Sequence, residues 1–203
     1  MKTDILMTGV GGQGVILASD ALAEIAMKSG YDVKKSDSLG MSQRGGSVVS
    51  HLRIGERVFS PLVKKGSADF LLAFERLEGA RWADYLSPGG VAIVNDHAMP
   101  PPSTIGAKGR SNYPSSEEVH SIICEYTDEV YFVPGTGIAK DLGNPQILNV
   151  LLVGFLSLFL DIEEKSYIDD LSHRVPPKFL ELNLIAFARG REEAQRIRRA
   201  QDR

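Results

Sequence analysis

Residues 4–14 read Asp-Ile-Leu-Met-Thr-Gly-Val-Gly-Gly-Gln-Gly, and this stretch decides the expected fold. Its apolar run Ile-Leu-Met predicts a short buried strand, and residues 15–28 place apolar side chains along one side of a predicted helix. Between strand and helix, Gly9, Gly11 and Gly14 match the G-x-G-x-x-G pattern. In that pattern glycine allows a tight turn, the close approach of a ligand, and close packing of helix on strand. The stretch therefore predicts an α/β sheet whose first turn can face a phosphate.

The glycine turn alone is a weak signal, because a strand-to-helix connection that binds nothing can use the same residues. A dinucleotide site normally also has an acidic residue at the end of the second strand. Asp37 lies near that place, but Lys34 and Lys35 before it suit a phosphate better than a bare ribose. The sequence therefore argues against a simple NAD site, and it leaves a stand-alone NAD(P)- or flavin-binding oxidoreductase as the alternative hypothesis.

The rest of the chain extends the same architecture. Further strands are predicted at residues 32–36, 48–54, 68–74, 91–94 and 130–133, where 48–54 shows alternation and 68–74 and 91–94 are apolar runs. Helical patterns occur at residues 75–86, 115–126, 139–142, 146–160, from 166, and at 178–200. Val58 and Phe59 are expected to return as a strand, so that residues 48–60 form a hairpin. We expect a three-layer, Rossmann-like, open and mostly parallel sheet with a hairpin excursion and C-terminal helices. Residues 1–203 are expected to form one domain, with the helices of about 166–200 packing on it or extending from it.

Composition excludes several kinds of site. The single cysteine, Cys124, cannot form a disulfide within the chain or build an iron–sulfur or cysteine-ligated zinc site. The four histidines are scattered, so no metal site is predicted. The net charge of −3 gives no reason to expect nucleic acid. The most apolar stretch, residues 147–160, is too short to span a bilayer comfortably, and the N-terminus lacks a signal peptide. We therefore expect a cytoplasmic protein with no membrane association.

Ser42-Gln43-Arg44-Gly45-Gly46-Ser47 is the second informative stretch. An arginine beside two glycines can offer a bidentate contact to a phosphate or carboxylate, next to bare backbone N–H groups. The alternative is a surface turn with a solvated arginine.

Three stretches together resemble the gamma-type subunit of the 2-oxoacid:ferredoxin oxidoreductases. They are the G-x-G-G-Q-G turn of residues 9–14, the loop of residues 42–47, and Ala-Asp-Phe-Leu-Leu at 68–72 leading into Glu75. Asn149 followed by Gly154 in the long apolar helix also fits this family. The resemblance extends to about residue 190 and is closest to the indolepyruvate branch.

The resemblance implies a non-catalytic subunit of a complex that oxidatively decarboxylates a 2-oxoacid to an acyl-CoA and CO2 and reduces ferredoxin. An arylpyruvate such as indolepyruvate is the expected substrate. Thiamine diphosphate and iron–sulfur clusters would lie on a large alpha subunit, since this chain carries no motif for either, and no tightly bound cofactor is expected here. The isolated chain could form a homodimer over its exposed interface. A stand-alone scaffold that self-associates is a further hypothesis.

Coenzyme A is the co-substrate that this chain would help to place, through the backbone N–H groups of the two glycine loops and the charge of Arg44. The expected binding residues are Gly9, Gly11, Gly12, Gln13, Gly14, Ser42, Gln43, Arg44 and Gly45.

Overall fold

The computed structural model describes residues 2–40, 46–100 and 113–201. Their six strands are β1 (Thr3–Val10), β2 (Asp32–Leu39), β3 (Ser47–Gly55), β4 (Ala68–Ala73), β5 (Leu86–Asn95) and β6 (Glu129–Val133). They form one sheet in the order β2-β3-β1-β4-β5-β6. β3 runs antiparallel to both of its neighbours, and the other pairs are parallel. The expected α/β fold with a mostly parallel sheet is confirmed.

Helices cover both faces of the sheet. They are α1 (Val15–Lys28), α2 (Arg76–Arg81), α3 (Ser116–Cys124), α4 (Gly135–Asp141), α5 (Leu148–Leu156), α6 (Glu164–Arg174) and α7 (Pro177–Gln201). Ile5 and Met7 of β1 pack in one core cluster with α1, α5, α6 and α7, whereas Leu6 packs in the other with α3. This alternation follows from the two-residue period of a strand, and it produces the expected three layers.

The expected hairpin over residues 48–60 is wrong. β3 pairs with β1 along one edge and with β2 along the other, as Thr3↔Ile54 and Asp32↔Gly55 show. Both hydrogen-bonding edges of β3 are therefore occupied, and no edge is left for Val58 to pair with. The backbone N–H of Val58 instead donates to the Asp32 carboxylate at 2.8 Å. The departure from parallel order is the single strand β3, which runs antiparallel to both β1 and β2.

Two element boundaries also differ from expectation. Residues 87–90, which lie between the helix expected at 75–86 and the strand expected at 91–94, belong to β5. The long apolar helix is shorter than residues 146–160, because α5 lies between 3-10 turns at Pro145–Ile147 and Ser157–Phe159. Within the described ranges, no helix combines the length and the apolar character needed to cross a bilayer.

The helices α5 and α7 contact each other through their backbones. A Cβ atom added to Gly154 would lie 2.3 Å from the Phe187 carbonyl oxygen, and one added to Gly190 would lie 2.0 Å from the Leu151 carbonyl oxygen. No side chain fits at either position, so both glycines are needed for this crossing. The crossing seats α7 against α5 and brings the first turns of α7 to the carboxyl ends of the strands.

Candidate functional site

The turn between β1 and α1 has the strand–turn–helix geometry that the sequence predicts. Gly12 and Gly14 have φ angles of +102° and +84°, a region that favours glycine. A Cβ atom added to Gly9 would lie 2.8 Å from the Phe74 Cβ and 2.9 Å from the Val15 Cγ2. The turn is therefore packed directly against the end of β4.

Gln13 fixes the shape of this turn. Its Oε1 accepts a hydrogen bond from the Val10 backbone N–H at 2.7 Å, and its Nε2 donates to the Phe74 carbonyl at 3.0 Å. The same Nε2 lies 3.4 Å from the Met99 sulfur. These contacts make Gln13 a brace between β1, β4 and the loop after β5, a role that the sequence alone did not indicate.

The two glycine loops meet at one hydrogen bond. The Gly11 N–H donates to the Gly46 carbonyl at 2.9 Å, and Gly46 belongs to the second loop. Within the described part of the chain, the N–H groups of Gly12 and Gly14 have no acceptor. Ser42, Gln43, Arg44 and Gly45 lie outside the described residues, so their contribution to a site stays a prediction.

A cavity of about 570 Å³ opens beside the turn. The loops after β1, β5 and β6 all contribute to its walls, so it lies where open α/β sheets bind ligands. Its volume is in the range of small-molecule sites. The lining residues come from the turn and five further segments: Gly12, Gln13, Gly14, Leu17, His97, Met99, Thr136, Asn144, Pro145, Gln146, Ile147, Leu148, Asn149, Val175, Phe179 and Asn183.

Two buried polar residues hold the cavity wall in place. Glu75, only 1% exposed, accepts hydrogen bonds from the Met99 N–H at 3.1 Å and from the Tyr113 hydroxyl. Burial and this bond to Glu75 raise the pKa of Tyr113. Asn95 donates to the Thr136 hydroxyl at 2.9 Å and accepts from the Thr136 N–H at 3.0 Å. Both polar residues stand at or just after the end of a buried strand, which is the signal that could have identified them.

The strand order argues against a dinucleotide site of the usual kind. In the common Rossmann order the second strand lies beside the first, so its terminal acid reaches the ribose. Here β3 lies between β1 and β2, which places Asp37 about 10 Å to the side, or two strand spacings. The Asp37 carboxylate also accepts hydrogen bonds from Lys35 at 2.8 Å and from Ser50 at 2.6 Å. Among the described residues, no group of three or more His, Cys, Asp or Glu is placed to hold a metal ion.

The chain is similar to subunits of 2-oxoacid oxidoreductases in both sequence and structure. Residues 4–193 match the family model of pyruvate ferredoxin/flavodoxin oxidoreductase. The chain is 36% identical over 199 residues to the indolepyruvate oxidoreductase subunit IorB of Pyrococcus horikoshii, covering 96% of each chain. It is similar to the solved gamma subunit of a keto/oxoacid ferredoxin oxidoreductase from Geobacter sulfurreducens, with 26% identity, a TM-score of 0.69, and coverage of 95% of this chain and 98% of that one.

A second solved structure shows the same fold inside a longer chain. The 2-oxoglutarate:ferredoxin oxidoreductase from Magnetococcus marinus superposes with a TM-score of 0.76 at 21% identity. The match covers 96% of this chain and 31% of that one. The chain therefore belongs to the pyruvate ferredoxin/flavodoxin oxidoreductase family and is homologous to the small subunits of 2-oxoacid:ferredoxin oxidoreductases.

Proposed function

We propose that the chain is the small, non-catalytic subunit of an oxidoreductase acting on an arylpyruvate such as indolepyruvate. The complex converts the 2-oxoacid and coenzyme A into an acyl-CoA and CO2, and two electrons pass to ferredoxin. The substrate class is supported by the similarity to IorB over nearly the whole of both chains.

The chemistry of the reaction lies on a large partner subunit in this proposal. An iron–sulfur cluster needs several cysteine ligands, and this chain has one cysteine. Thiamine diphosphate and the clusters are therefore assigned to an alpha subunit, which passes the electrons to ferredoxin in the cytoplasm. The small subunit acts as one domain, since a single core cluster joins β1 to α7. Without its partner it forms a homodimer over exposed apolar surface outside the cavity, such as that of Phe59 and Leu62.

The contribution of this chain is to place coenzyme A, and the observation that carries this proposal is the cavity beside the glycine turn. The N–H groups of Gly12 and Gly14 lie at the positive end of α1, where a phosphate is stabilised. The Gly11–Gly46 hydrogen bond holds the base of the second loop beside them. The Magnetococcus marinus enzyme was solved with coenzyme A bound, which fits this assignment.

The test compares two variants that place opposite charges at Leu17. This residue is 61% exposed and lines the cavity with Gly12 and Gly14. In the assembled complex, Leu17→Glu should raise the KM for coenzyme A about fivefold, because a carboxylate repels the phosphates. Leu17→Lys has a side chain of similar reach and should lower the KM or leave it unchanged. Both variants should keep the kcat at saturating coenzyme A. Equal KM values in the two variants would contradict the placement of the phosphates at this turn.

A further inference from the structure

Most of the polar side chains that line the cavity are amides, and His97 and Thr136 are the others among the described residues. Five of its described lining residues carry a carboxamide, and none is Lys, Arg, Asp or Glu. The five are Gln13, Asn144, Gln146, Asn149 and Asn183. Apolar side chains, including Leu17, Val175 and Phe179, lie between them. Away from the N–H groups of the glycine turn, burying a phosphate without a lysine or arginine would be unfavourable, so this part of the cavity suits a neutral ligand that carries amides and apolar spacers.

Asn149 and Asn183 each have one hydrogen-bonding group unused among the described residues. The Oδ1 of Asn149 accepts from the Val150 N–H at 2.9 Å, which leaves its Nδ2 as a free donor. The Nδ2 of Asn183 donates to the Phe179 carbonyl at 2.8 Å, which leaves its Oδ1 as a free acceptor. A donor on α5 and an acceptor on α7 together match the carbonyl and the N–H of a ligand amide.

Asn149 also joins this cavity to the proposed phosphate site. A Cβ atom added to Gly14 would lie 3.1 Å from the Asn149 Cβ and 3.2 Å from its Nδ2. The Asn149 side chain is therefore adjacent to the turn whose N–H groups face the phosphates. The part of a ligand that extends from the phosphates into the cavity therefore passes Asn149 first.

We propose that this cavity binds the pantetheine arm of coenzyme A, a neutral chain with two amides separated by methylene groups. The inference rests on the proposed function and extends it to residues outside the glycine loops. Asn149 donates to a carbonyl of the arm, Asn183 accepts from an amide N–H, and Val175 and Phe179 cover the methylene groups. The phosphates remain at the glycine turn.

The test replaces each asparagine by leucine, whose side chain has the same branching but no hydrogen-bonding group, in the assembled complex with the large subunit. Asn149→Leu and Asn183→Leu should each raise the KM for coenzyme A about tenfold, with kcat at saturating coenzyme A and the KM for the 2-oxoacid unchanged. Inhibition by adenosine 3′,5′-bisphosphate should be unaffected, because this probe lacks the arm. Gln195→Leu is the control, since Gln195 is exposed on the same helix and outside the cavity.

The outcomes separate the inference from the proposed function. A higher KM in Leu17→Glu with normal values in both asparagine variants would keep coenzyme A on this chain and overturn the pantetheine assignment. Weaker inhibition by adenosine 3′,5′-bisphosphate in the asparagine variants would overturn it too, because the amides would then hold the nucleotide. If all three variants bind coenzyme A normally, the proposed placement of coenzyme A on this chain fails as well. Where a leucine variant does not assemble, Asn149→Ala or Asn183→Ala removes the amide without adding volume or charge and gives the same test.

Discussion

Glycine has opposite uses in two regions of this molecule. Where α5 crosses α7, the space left by Gly154 and Gly190 is filled by the backbone of the other helix, which would lie 2.3 Å and 2.0 Å from the added Cβ atoms. At the turn after β1, a Cβ atom on Gly12 would meet nothing within 4 Å. The first pair closes a helix–helix contact, and the second position leaves backbone N–H groups open beside a cavity.

The difference shows that a glycine can contribute to a site in two ways. It can allow a helix crossing that positions residues of the site, or it can lie in the site itself. The crossing contacts no proposed ligand atom, yet it carries Phe179 and Asn183 to the cavity wall. A methyl group added at the crossing should therefore mainly lower the free energy of unfolding. A methyl group added at Gly12 should mainly weaken the binding of coenzyme A.

The largest expected effect is the loss of stability in Gly190→Ala. The added Cβ would lie 2.0 Å from the Leu151 carbonyl oxygen and 2.9 Å from the Phe155 backbone nitrogen, and backbone atoms cannot move aside as a flexible side chain can. The helices must separate, which should lower the free energy of unfolding by about 3 kcal/mol or more. Denaturant unfolding of the purified chain measures this loss.

Gly89→Ala is the matched control for this substitution. Gly89 lies in β5, and an added Cβ atom meets nothing within 4 Å. Its free energy of unfolding should stay within about 0.5 kcal/mol of the original protein. Equal losses in the two variants would show that the α5–α7 contact is not as close as the structure has it.

An intermediate effect is expected for Gly9→Ala. The added Cβ would lie 2.8 Å from both the Phe74 Cβ and the Gln13 Oε1, so the substitution overpacks the end of β1 and displaces the brace. The free energy of unfolding should fall by about 1–3 kcal/mol, and the KM for coenzyme A of the complex should rise because the turn moves. A variant with normal stability and normal KM would contradict the role of Gln13 as a brace. Gly89→Ala serves again as the control.

Local features of the fold were predictable, and long-range pairing was not. The strand, turn and helix of residues 4–28 are confirmed, because an apolar run, three spaced glycines and a helical pattern act within one short segment. The strand at residues 48–54 is also confirmed, but its assigned partner at residues 58–59 is wrong. Alternating side chains indicate a strand, and they do not show that it will insert between β1 and β2.

The same limit applies to the site. The glycine turn is identifiable from residues 9–14, whereas Asn183 reaches the cavity only because α7 crosses α5. A single asparagine on a helix is an ordinary surface residue in the sequence, so nothing marked it as a wall of the site. The available signal was indirect: Gly154 and Gly190 are isolated glycines inside helices, where glycine without a packing role is unfavourable.

The smallest loss of stability and the clearest loss of binding are expected for Gly12→Ala. Its φ of +102° strains any residue with a side chain, at about 1 kcal/mol, and the added methyl group stands beside the N–H groups proposed to face the phosphates. Gly30→Ala is the matched control, with a φ of +90°, open space around the added Cβ atom, and a position at the other end of α1. Both variants should unfold at similar denaturant concentrations, and only Gly12→Ala should raise the KM for coenzyme A. If the two variants also share a normal KM, the turn only connects β1 to α1, and the open space at Gly12 does not serve phosphate binding.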